Sequence, residues 1–266
     1  MNLFGKLNPI RQGAVLLLVL CGPGFASIAS ADSFDTPLEN KVVDFGPSPY
    51  RPAENVRIKL SCSFYPTFMV KEYDEGEKGA EWLAIVPIEK GAAPECTKSH
   101  VQGERVIEPN EWSGYFMGVK GNLVFFDAAD GWDGGMPFVI YDARTRKKIF
   151  EDSYFYAGMW NEKVFEDSVF NNMRVEPAPD GWPILKYLRV VGTECDIHSN
   201  KKSCWEPIRK KLGVKTTQKP VCTGYEEIER IHSWASSALA YPVEVSLFPK
   251  PTTKTIAGPV KCWPVD

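Results

Sequence analysis

The chain has little of what imidazole or thiolate catalysis requires. Only three histidines occur in 266 residues: His100, His198 and His232. There is no G-x-S-x-G elbow and no H-E-x-x-H pair, which removes two widespread hydrolase signatures. Ser199-Asn-Lys-Lys202 matches S-x-x-K in form, but its companion motifs are missing and it falls between Cys195 and Cys204. Basic charge is also lacking. Lys and Arg number 31 against 34 Asp and Glu, a net charge of −3, so there is no electrostatic footprint for nucleic acid or anionic lipid. Beyond residue 31 no apolar run approaches the ~20 residues a membrane helix needs. A propeller period is absent too. Residues 148–155 and 163–170 agree at six of eight positions, and Asp130-Gly-Trp132 returns as Asp180-Gly-Trp182, but neither echo continues.

What is present starts with a leader. Lys6 and Arg11 precede an apolar run at 14–20, Pro23 and Gly24 break the stretch that follows, and Ala29-Ser30-Ala31 supplies a small-x-small cleavage pattern. Residues 1–31 therefore read as a secretory signal peptide with Asp32 as the new N-terminus. A short membrane anchor is one alternative. Lipid anchoring at Cys21 is another, and Leu20 argues against it because the preceding residue should be small. Cleavage leaves 235 residues with net charge −5, enough for one large domain or two small ones. The expected address is periplasmic or secreted.

Six cysteines remain: Cys62, Cys96, Cys195, Cys204, Cys222 and Cys262. An even count in an exported chain implies disulfides. Fifteen connectivities are possible; the expected one is sequential, Cys62–Cys96, Cys195–Cys204 and Cys222–Cys262. On the loop-entropy model each contributes at most ~3–4 kcal/mol. The rival, zinc held by Cys195, His198 and Cys204, lacks a fourth ligand, and oxidation would consume both thiols.

Period-two alternation predicts a strand at 56–65, where Val56, Ile58, Leu60, Cys62 and Phe64 share one face. Further strands are expected at 41–45, 82–88, 112–119, 122–127, 137–142, 148–155, 184–191, 241–248 and 260–263. Short turns join several of these, which favours antiparallel neighbours. Two helices are expected. One spans 204–212, with Ser203 as cap, Pro207 in its first turn and Gly213 as its stop. The other spans 224–239, with Thr223 and Glu226 as a capping box and Ile228, Ile231, Trp234, Ala235 and Ala238 on one face. The expected fold is mainly β, an antiparallel meander or sandwich-like sheet with one or two short helices in a disulfide-tied C-terminal part. The expected organisation is an extended arm at 32–55, a β-rich body at 56–192 and a smaller α+β region at 193–266 that could share one core with the body.

Two constellations bear on function. Asp127, Asp130 and Asp133 lie on a glycine-bearing loop at 127–135 and could supply oxygens to Ca²⁺; the plainer reading is that Asp and Gly form turns there. Glu151, Asp152, Glu166 and Asp167 could add carboxylates, but adjacent strand residues point to opposite faces. Trp132, Trp160 and Trp182 each sit in a polar or glycine-bearing turn, where an indole stacks on a sugar or anchors a protein partner; alternatively they plug the rims of a β core. The leading expectation is a non-catalytic binding protein with a protein or carbohydrate partner. Its loops at 127–135, 156–162 and 180–183 would form the surface, and an inhibitor or immunity protein would be a special case. The alternative is a secreted hydrolase using carboxylates near Asp127–Asp133, assisted by Ca²⁺; a glycosidase pair would stand ~5–10 Å apart.

Overall fold

The computed structural model describes residues 34–89, 93–156, 173–177, 181–199, 203–228 and 236–265. They form two antiparallel sheets, two short helices and three disulfides. The leader, Cys21 and Trp160 lie outside the described residues.

The first sheet is a simple meander. It runs β1 (Glu39–Pro47), β2 (Arg57–Phe64), β3 (Phe68–Asp74), β4 (Trp82–Pro87) and β5 (Arg105–Ile107), each paired with the next. The alternation at 56–65 is realised in β2, whose Leu60, Cys62 and Phe64 are buried. Within the expected arm the described residues 34–55 are not free: β1 pairs with β2 from Glu39 opposite Phe64 to Pro47 opposite Arg57. Ahead of it, Phe34 packs edge-on to Phe125 with ring centroids 5.1 Å apart.

The second sheet holds nine strands. Its path begins with a second meander, β6 (Gly114–Lys120), β7 (Leu123–Ala128), β8 (Gly135–Asp142) and β9 (Lys147–Phe155). Beyond β9 come β11 (Ile184–Gly192), β12 (Ser236–Ser246) and β13 (Thr252–Thr255). Two short strands branch from the path: β10 (Arg174–Glu176) pairs with β11, and β14 (Lys261–Val265) pairs with β12. Because β12 pairs with β11 along nine residues, the C-terminal region continues the body's sheet. One hydrophobic cluster accordingly joins Leu123, Phe138 and Leu185 to Trp205, Leu239 and Cys262.

The sheets stack face to face through Phe68, Val70, Leu83, Ile85 and Ile107 of the first and Val119, Val124, Phe126, Val139 and Tyr141 of the second, the sandwich solution for two half-apolar sheets. Glu72 ties them together. It accepts a 2.6 Å hydrogen bond from the Phe116 amide, beside a β-bulge between Phe116 and Gly118. Burial raises its carboxyl above the usual range, and that bond opposes the rise. The outer face of the first sheet has its own cluster, Leu60, Cys62, Phe64, Met69, Tyr73 and Val86. The Cys62–Cys96 bridge fastens the segment at 93–104 over it.

Helix α1 (Trp205–Leu212) ends at Gly213, φ 67°, whose N–H returns to the Lys210 carbonyl at 3.2 Å, a left-handed stop that glycine adopts without penalty. Its N-cap is Cys204, and no side chain caps it; the expected Ser203 cap does not form. The bridge to Cys195 sets where the helix begins. The second expected helix is corrected. Among the described residues helix α2 covers Tyr225–Ile228, and Ser236–Leu239, expected as the end of the same helix, belong to β12. Between β11 and β14, Ala238 and Leu239 are buried on opposite faces of a strand with neighbours on both sides, so their helical spacing gives way to two hydrogen-bonded ladders.

Candidate functional site

The turn after β7 explains much of the acidic loop. Trp132 and Gly135 exchange two 2.8 Å backbone hydrogen bonds, and Asp133 and Gly134 between them have φ of 51° and 80°. Two positive φ values in a two-residue hairpin loop are the type I′ signature that Asp-Gly favours. The Trp263 indole donates to the Asp133 carbonyl at 2.9 Å and braces the turn from below. Trp132, at its corner, is 76% exposed.

The three carboxylates of this loop take separate partners. Asp130 is exposed and pairs with Lys78, which holds its carboxyl low. Asp133 is raised by burial, with Trp132 opposing. Asp127 lies within β7, opposite Tyr115 and Phe138. Burial pushes its carboxyl up to about 6, against the weak opposing bond from the Tyr154 phenol at 3.4 Å. Its second oxygen, Oδ1, is buried with no hydrogen-bond partner. Among the described residues no group of three or more His, Cys, Asp and Glu side chains gathers as a metal-binding set. Cys195 and Cys204 are joined to each other, and His198 stacks on Tyr225 with centroids 4.5 Å apart. The three disulfides follow the sequential pairing.

The sheet face that carries Asp127 also carries a polar cluster the sequence did not single out. Asp152 accepts from Tyr187 at 2.5 Å and from Arg189 at 2.8 Å. Tyr241 stands opposite Arg189 on β12. Burial raises both phenols, and the Asp152 charge raises Tyr187 further. Such groups mark candidate sites but also occur in structural networks. The alternation within 148–155 already pointed Asp152 away from Glu151; both side-chain donors to it come from β11, and Tyr241 joins the cluster from β12.

Trp182 lies in a different place. It lines a cleft of ≈390 Å³ with Asp35, Lys120, Gly121, Arg144 and Pro183. Phe248 lies parallel to its indole, centroids 4.9 Å apart at 7°, and the Arg144 guanidinium sits 5.2 Å from the ring centroid. Each cation is matched. Lys120 meets Asp35 at 3.0 Å, and Arg144 meets Asp142 through two 3.2 Å bonds. The Gly121 amide also donates to Asp35, at 2.6 Å. The cleft thus borders the start of β7 and the end of β8, whereas Trp132 occupies the turn at their other ends. Six strand residues separate those ends by ~20 Å, so Trp132 and Trp182 do not share one surface.

Comparison with protein-family models, curated proteins and solved structures finds no match, and the site is read from its own geometry. No helix among the described residues is long and apolar enough to cross a membrane.

Proposed function

We propose that the chain is an exported, non-catalytic binding protein that takes its partner at the Trp182 cleft. The observation that carries this reading is the cleft's wall. An indole backed by Phe248 stands beside a guanidinium, an ammonium and a carboxylate supplied by three separate segments of the chain. Paired charges offer donors and acceptors together, while the indole offers apolar area, a combination that suits a polar ring or a protein anchor. Export is supported by the leader pattern and by three disulfides that close loops in different parts of the fold.

The test uses the mature chain against a glycan array and in a pull-down from periplasmic extract, with W182A, R144E and W132A variants. The expected result is a partner lost in W182A and R144E and kept in W132A, with each variant still folded by circular dichroism. Full binding by both cleft variants would overturn the reading.

A second reading, a carboxylate-dependent hydrolase, has one observation in its favour: Asp127 is buried, raised to about 6 and unpaired at Oδ1, as a general acid would be. Turnover of chromogenic glycosides that disappears in Asp127→Asn would favour it over the first.

A further inference from the structure

Two neighbouring features take no part in the Trp182 site. One is Trp132. Its indole is 76% exposed, yet the turn that carries it is held from below. The Trp263 indole donates to the Asp133 carbonyl. A Cβ on Gly134 would lie 2.8 Å from Nε1 of that indole, and one on Gly135 would lie 2.8 Å from the Cβ of Val190. The backbone on either side of Asp133 is packed too closely to shift, so the exposed ring stands on a rigid support. An anchor fixed in advance loses little entropy on docking, and tryptophan is prominent among the side chains that carry binding energy at interfaces.

The other feature is a cleft of ≈500 Å³ between the end of β11 and helix α1. Val191 lines the strand side. Pro207, Ile208, Lys211 and Leu212 line the helix side, where their i, i+4 spacing places them on one face. The Cys195–Cys204 bridge also lines the cleft and ties its two sides together, so the cleft is preformed. Its apolar lining is aliphatic, with no aromatic side chain among the described residues.

Gly192 joins the two features. It lines the cleft, and a Cβ on it would lie 2.9 Å from Oδ2 of Asp133, the residue after Trp132. Trp132 does not line the cleft of its own chain; it stands beside it with the ring in solvent. The rims match in charge as well. Asp133 is half-buried and Lys211 is exposed, and neither stands in an ion pair among the described residues. Glu194, exposed on the strand side, leaves the cleft mouth neutral as a whole, which admits an uncharged ring.

We propose that the chain forms a two-fold dimer in which the Trp132 of each copy enters the cleft of the other and Asp133 meets Lys211 across the contact. A two-fold contact is reciprocal, so one insertion brings the second. Because anchor and cleft adjoin, both insertions fall within one interface. Two indoles and the walls that receive them bury on the order of 800 Å², the small end for a specific interface, so the dimer is reversible with a Kd of roughly 10–100 μM. The cleft shares no lining residue with the Trp182 cleft, so the two assignments stand or fall separately.

The test is sedimentation velocity on the full mature chain over a concentration series that spans this Kd. The expected result is a monomer–dimer equilibrium that W182A leaves unchanged. W132A removes both anchors and should weaken it ~100-fold or more. P207E fills the cleft and should do the same, and K211E should weaken it ~3–10-fold. Pro207 and Lys211 are exposed, and circular dichroism confirms that each variant is folded. Benzoylphenylalanine in place of Trp132, irradiated at the dimer concentration, should give crosslinked dimers whose adducts map to 191–195 or 203–212. A chain that stays monomeric throughout, with Trp132 left to some other partner, would overturn the proposal. So would dimerisation that survives W132A or P207E, crosslinks that map elsewhere, or association that continues past the dimer into open chains.

Discussion

The phenol of Tyr187 on β11 donates a 2.5 Å hydrogen bond to Oδ2 of Asp152 on β9. Arg189, two residues further along, fills the other oxygen at 2.8 Å. The Asp152 side chain is only 6% exposed, so this carboxylate is stabilised by these two donors and the Ser153 amide, at 2.9 Å, rather than by water. Asp152→Ala would leave a buried phenol and a half-buried guanidinium without their acceptor. Breaking such a pair from one side costs ~3–5 kcal/mol; with Arg189 35% exposed, about 3 kcal/mol is expected. Tyr187→Phe should cost less, ~1.5 kcal/mol, because it removes one bond to a charged group. Urea unfolding monitored by tryptophan fluorescence checks both values.

Asp127 predicts a pH dependence. Its carboxyl is raised from 3.8 to about 6 in the fold by burial, so the native state binds the proton more tightly than the unfolded chain does. The resulting contribution is fully present below pH 3.8 and is lost as the pH rises through about 6. Relative to Asp127→Asn, which does not titrate, the parent protein should lose ~2–3 kcal/mol of stability between pH 4 and pH 7. Denaturant titrations of both proteins across that range supply the measurement. A difference that stays flat with pH would mean that Asp127 is hydrated in the fold.

Patterns confined to one strand or one turn were legible in the sequence. Leu60, Cys62 and Phe64 read as one face and are buried together. Gly213 read as a helix stop and adopts the left-handed conformation, and Asp133-Gly134 forms the turn its residues favour. Strand β3 escaped notice because Met69 and Val70, on opposite faces, are both buried, as is Lys71; burial on both faces erases alternation. Residues 236–239 misled for the same reason. The Asp152 cluster was out of reach, since its members lie on β9, β11 and β12 and meet only through strand order. Trp182 was read as a binding residue, but its neighbours Asp35, Lys120 and Arg144 come from distant segments that no local pattern brings together.

The disulfides should differ in weight. Cys62–Cys96 closes a separation of 34 residues and Cys195–Cys204 one of 9. Loop entropy assigns about 4 kcal/mol to the first and about 2.5 kcal/mol to the second. Serine pairs at each position, compared by thermal unfolding, should keep that order. The C62S/C96S protein should also show faster amide exchange within 93–104, because that bridge fastens the segment over the outer cluster of the first sheet.

That same segment brings Glu104 to Lys71. The two side chains are 1% and 0% exposed, with Nζ 3.3 Å from Oε1. Lys71 also donates to the Ser99 carbonyl at 3.0 Å, and the Val101 amide donates to Glu104 at 2.8 Å. The pair is therefore partnered on both sides, but both ions have left water, so its net worth is small while either ion alone is costly. Lys71→Met should lose ~3–5 kcal/mol by stranding a buried carboxylate. Lys71→Met combined with Glu104→Leu should recover most of that loss, since the Ser99 carbonyl and Val101 amide are neutral groups with smaller desolvation costs. A double-mutant cycle in guanidinium chloride measures the coupling. If the double variant were as unstable as Lys71→Met alone, the ion pair would be holding the 93–104 segment in place by itself. If Lys71→Met were harmless, water or His100, whose Nδ1 lies 3.4 Å from Oε1, would have to meet the Glu104 charge beneath that segment.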